Sequence, residues 1–106
     1  MLRPAKENKL RRLAEEYEVA TLNSRGAIDQ GDWDQKYTAI KHFYLTYKQI
    51  HRLTFDQKMM IDRILMERGR ISVSDSEAII KAMEEMSREL DARDAAEDHR
   101  ARAPFH

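Results

Sequence analysis

A chain of 106 residues with 42% hydrophobic and 36% charged side chains has enough apolar material for one modest core, which excludes global disorder. Three glycines and two prolines are too few for a turn-rich β protein, the lack of cysteine excludes disulfides and thiolate metal sites, and no apolar run approaches the roughly 18 residues of a membrane span. The net charge of zero argues against a generic polyanion binder, although residues 1–53 carry 10 Lys/Arg against 7 Asp/Glu and residues 54–106 carry 9 against 12.

The first predicted helix runs from Ala5 to Gln30, with Pro4 at its start, where a missing N–H costs nothing. Leu10, Leu13, Ala14, Tyr17, Ala20, Thr21, Ser24, Ala27 and Ile28 fall on one stripe at about 100° per residue, the buried side of an amphipathic helix. Gly26 lies on the outer face and offers an early end at Ser24 or Arg25; otherwise Gly31 is the stop.

The second helix opens with Asp32-Trp33-Asp34-Gln35, an Asp cap followed three residues later by Gln, and continues to Leu53. No acidic residue occurs between Asp34 and Asp56, whereas Lys36, Lys41, Lys48 and Arg52 do. On the helical wheel Trp33, Tyr37, Ile40, Phe43, Tyr44, Tyr47 and Ile50 span about 140°, the width of a buried face. Lys41, Lys48 and Arg52 form a basic stripe beside them, with Tyr44 at the boundary. Such a row holds acidic protein groups or phosphates, or stands as a solvated edge whose aliphatic stems cover the core. Three cations are few for a nucleic-acid site, which usually makes about six or more phosphate contacts. Lys41, Tyr44, Lys48 and Arg52 are therefore the candidate partner-binding residues.

Thr54-Phe55-Asp56-Gln57 repeats the capping device and starts a short third helix, ended by Gly69 in the left-handed conformation. Its apolar residues lie around nearly the whole circumference, so it needs covering on more than one side. One short chain has few helices for this. A homodimer is expected, with Phe55, Met59, Met60, Ile64 and Met66 as candidate self-association residues. A third capping box, Ser74-Asp75-Ser76-Glu77, predicts the start of a fourth helix reaching at least Leu90. In it Ile79, Met83, Met86 and Leu90 make a narrow seam suited to one neighbour. Lys81–Glu85, Glu84–Arg88 and Glu89–Arg93 are spaced four apart on its outer faces. From Asp91 the stripe fades, predicting a fraying helix end; residues 1–98 form one helical domain and 99–106 a disordered tail.

The expected fold is all-α, a small helical bundle of three long helices and one short one, mostly antiparallel. Metal binding is not expected. His42 and His51 are nine residues apart on one helix and face opposite ways, and His99 and His106 lie in the tail. Glu15-Glu16 and Glu84-Glu85 are adjacent positions that diverge by about 100°, and no phosphate loop or nucleophile motif is present, so no catalytic residue and no cofactor are assigned. Residues 54–90 read as helix, glycine turn, helix, but Asp75, Ser76 and Glu77 open the second helix where a DNA reader carries cations. The expected function is non-enzymatic: a cytoplasmic protein–protein interaction or regulatory protein, such as an adaptor, chaperone-like factor or inhibitor, acting through a helical face with no membrane role. The alternative is a nucleic-acid-associated regulator using the basic stripe of the second helix.

Overall fold

Helix starts in this chain are fixed by side chains that reach back to their own first turns. A computed structural model describes residues 4–102 and contains four α-helices: α1 (Pro4–Gln30), α2 (Trp33–His51), α3 (Phe55–Arg68) and α4 (Val73–Arg102). At α2, Asp32 Oδ1 accepts from the Gln35 N–H at 2.8 Å while Gln35 Oε1 accepts from the Asp32 N–H at 3.3 Å. Thr54 and Gln57 exchange the same pair of bonds at α3, at 3.3 and 3.0 Å. Both boxes satisfy N–H groups that a helix start leaves without partners. The stops are equally local. Gly69 takes φ 63°, a conformation costly for any residue with a Cβ, and its N–H donates to the Leu65 carbonyl at 3.0 Å. At Gly31 the reason is space: a Cβ would sit 2.7 Å from the Ala27 carbonyl oxygen. The helix passes through Gly26 undisturbed.

Three boundaries differ from the sequence expectation. α4 begins at Val73, so Ser74 lies inside the first turn and is not its cap. Ser72 precedes the helix instead, and both its N–H and its hydroxyl donate to Asp75 Oδ2, at 2.8 and 3.3 Å. Asp75 and Ser76 are also held from across the fold, by Arg25 at 3.3 Å and by the Tyr17 hydroxyl at 2.7 Å, which anchors that first turn on α1. At the other end, α4 continues past Asp91 and past residue 98 to Arg102. Alanine, glutamate and arginine sustain a helix without a buried stripe, because they surrender little side-chain freedom in it. Residues 103–106 lie outside the described residues. α2 also ends slightly early, at His51, where the Leu53 N–H turns back to the Ile50 carbonyl at 3.1 Å.

α1 packs against each of the other three helices. Against α2 it forms a hairpin, with Ser24 Oγ donating to the Ala39 carbonyl at 3.1 Å and the Tyr17 and Phe43 rings 5.4 Å apart. α3 covers the N-terminal half of α1, and Leu10, Ala14, Ile61 and Ile64 form a core there with Ile50 and Leu53 at its edge. α4 covers the C-terminal half, where Ala20, Ile40, Phe43, Ile79 and Met86 form a second core. The short helix and the long one thus lie in file along the hairpin, not side by side over it. This explains a radius of gyration of 18.0 Å, against about 13 Å for a compact chain of this length. The buried hydroxyls of Thr21 and Thr46 donate to carbonyls four residues back in their own helices, at 2.7 and 2.9 Å. Among the described residues no helix is long and apolar enough to cross a membrane.

Candidate functional site

The in-file arrangement decides what α2 presents to water. Its buried side is Ile40, Phe43 and Thr46, facing α1. Tyr37, Tyr44 and Tyr47, expected inside the aromatic arc, are 43%, 42% and 38% exposed. The face in contact is rotated from the aromatic arc because α1 is the only neighbour running the full length of α2. α4 reaches only its N-terminal part, and α3 only its end. An aromatic row is left open between them.

That row is organised. Trp33 donates its indole N–H to Glu89 Oε2 at 2.7 Å, stacks on Tyr37 with centroids 5.3 Å apart, and carries the Arg93 guanidinium 4.9 Å from its ring centre. Glu89 and Arg93, four apart on α4, thus meet at an aromatic ring of α2 rather than at each other. Lys48 Nζ lies 5.3 Å from the Tyr44 ring centre, a cation–π distance, and Tyr47 stacks on His51 at 5.8 Å. Between α2 and α4 runs an open groove of about 250 Å³, lined by Tyr37, Ile40, Lys41, Tyr44, Met83 and Met86 among others.

The four sequence-derived partner-binding candidates therefore fall into place unevenly. Lys41 and Tyr44 share the groove wall. Lys48 stands over Tyr44, and Arg52 is exposed at the C-cap of α2. All three cations are exposed, and among the described residues none has a carboxylate within salt-bridge distance. The self-association candidates divide. Phe55, Met59 and Met66 are 75%, 53% and 81% exposed, Met60 is half-buried, and Ile64 is enclosed in the core of its own chain. Ile64 is thus a core residue, because it points at α1 from the side of α3 opposite Phe55.

One residue escaped sequence reasoning altogether. The Glu18 side chain is 1% exposed, at the level where α3 ends and α4 begins. Its two oxygens accept from Arg68 Nε at 2.7 Å and Arg68 Nη2 at 3.0 Å, with Arg70 at 3.6 Å. This fork holds the Glu18 carboxyl below its ordinary range, against the opposing effect of burial. The same bonds push the Arg68 guanidinium further up. Nearby, burial raises the Tyr17 phenol despite its bond to Ser76. The only signal in the sequence is position: Glu18 is four residues after Ala14 and three before Thr21, on the rim of the α1 stripe. No group of three or more His, Asp or Glu side chains with metal-binding geometry occurs among the described residues.

No protein-family model matches the chain, and no curated protein or solved structure matches it either.

Proposed function

We propose that this chain is a non-enzymatic interaction protein, a small adaptor or inhibitor whose α2–α4 face receives an acidic amphipathic helix of another protein. The observation that carries this reading is an open apolar groove with Lys41 in its wall and Lys48 over the adjacent Tyr44 ring, neither of them paired with a carboxylate among the described residues. A helix laid in such a groove inserts apolar side chains at spacings of three and four, and its acidic flank meets Lys41, Lys48 and Arg52. Half-exposed tyrosines suit this role, since they supply rigid apolar area and keep a hydroxyl for the rim. The same proposal takes the fold as a small bundle in which α2 runs antiparallel to the other three helices and leaves its basic edge to the partner.

The test uses a labelled model peptide with leucine on one helical stripe and glutamate on the remaining positions, beside its lysine counterpart. The glutamate peptide binds and the lysine peptide does not, and Lys41→Glu with Lys48→Glu abolishes the difference. Salt weakens the interaction moderately. Random duplex DNA binding more tightly than the glutamate peptide, with a steep salt dependence, would replace this reading with nucleic-acid recognition. Equal binding of both peptides would refute it.

A further inference from the structure

The exposed side of α3 faces away from α1 and carries three large apolar side chains, Phe55, Met59 and Met66. With Phe55 set at zero, Met66 and Met59 follow at about 20° and 40° around the helix, a row spanning roughly 16 Å along the axis. This row is flanked on one edge by Asp56 and Arg63, at about 100° and 80°, and on the other by Lys58 and Asp62, at about −60° and −20°. Among the described residues none of these four charges takes part in a salt bridge. Lys58 and Asp62 stand four apart on their edge, yet they form no ion pair with each other. Each edge carries a cation and an acid beside the row, with Glu67 further round the first edge at about 120°, and the spacing of the four charges suggests their partners.

We infer that the α3 row is covered by α3 of a second copy, packed antiparallel about a two-fold axis at the level of Met60. An antiparallel pair brings like edges together and sets residue numbers that sum to about 120 opposite one another. Phe55 then meets Met66 of the second copy, and Met59 meets its own equivalent. On the first edge Asp56 meets Arg63 of the second copy; on the other, Lys58 meets Asp62. Each of these four charges finds an opposite, twice over by symmetry. A parallel in-register pair is two-fold symmetric as well, but it brings opposite edges together, so Asp56 and Arg63 no longer face each other. Few residues take part, and the contact falls in the size class below about 1,200 Å². The dimer is therefore weak, with a dissociation constant of roughly tens of micromolar. This association is independent of the groove between α2 and α4, which lies on other helices.

Sedimentation equilibrium of the full chain from about 5 to 200 μM tests the inference. The parent shows a monomer–dimer equilibrium. Asp56→Lys alone and Arg63→Glu alone each weaken it by about tenfold or more, since each creates two like-charge contacts. The double variant D56K/R63E restores it, and so does an equimolar mixture of the two single variants. Met66→Glu, at an exposed position, abolishes it with the helix content unchanged. A parent that stays at 12.5 kDa throughout overturns the inference. Single variants that associate like the parent overturn it too, and a double variant no better than the singles overturns the antiparallel register.

Discussion

Replacing Glu18 by Gln removes one charge and changes almost nothing in shape, so it isolates the ion pair at the junction of α3 and α4. Glu18 accepts two charge-assisted bonds from Arg68. A bond to a charged group is worth about 1.5–3 kcal/mol when well shielded, and Gln keeps one acceptor oxygen, so roughly one such bond is lost. Arg68 is 35% exposed, and water there competes for its N–H groups. The expected loss at pH 7 is therefore about 2 kcal/mol after allowance for that screening, which for about 100 residues lowers Tm by about 10 °C. The pH dependence has a definite sign. The folded-state carboxyl of Glu18 titrates below the ordinary glutamate value of about 4.3. The stabilisation is complete above that ordinary value and disappears as pH falls through the lower, folded one. Urea melts followed by tryptophan fluorescence should separate the parent from E18Q at pH 7, with the gap closing as pH falls below the ordinary glutamate range. Coincident curves at pH 7 would refute the assignment of stability to this pair. A gap of constant size at all pH values would show that shape, not charge, was lost.

The helix boundaries and the rotation of α2 give two further tests, both read by the same melts. Thr54→Ala and Ser72→Ala should each cost about 1 kcal/mol while Ser74→Ala stays within about 0.5 kcal/mol; a costly Ser74→Ala would restore the start read from the sequence. Phe43→Ala should cost about 3–5 kcal/mol and Tyr47→Ala about 1 kcal/mol, because only the first ring is enclosed. Equal costs would mean that the aromatic arc is buried as a whole.

The contrast between Phe43 and Tyr47 shows where sequence reading reached its limit. A wheel locates a stripe but not the helix that covers it. On α1 the stripe from Leu10 to Ile28 was fully legible, because α1 is covered along its whole length and every stripe residue is buried or half-buried. On α2 the same reasoning placed five aromatics in the buried arc, of which the fold leaves three open, since the in-file placement of α3 and α4 depends on the turn at Gly69–Ser72. The caps at Asp32 and Thr54 were legible because both partners of each bond lie within four residues. Ser72 and Ser74 each head a Ser-x-x-acid pattern, and the choice between them is made by Arg25, 50 residues from Asp75. Glu18 was illegible for a similar reason: a glutamate at the rim of a stripe reads as solvated until the opposing arginine is known. In the candidate site, Lys41 and Tyr44 were found from the missing acids of α2. Met83 and Met86 were read only as seam residues, and the groove they complete with α2 needs the tertiary pairing.

Two separate cores along one hairpin also set how the molecule comes apart. The Ile61–Ile64 cluster and the Ile79–Met86 cluster share α1 and α2 but, among the described residues, no buried side chain. A chain built this way opens in sub-global steps: amides of α3 exchange through detachment of the short helix alone, while those around Phe43 wait for loss of the longer assembly. Glu18 sits at the border between these two cooperative units and grips the last turn of α3 from α1. Its ion pair is the latch that makes the smaller unit's opening costly, and acid releases it.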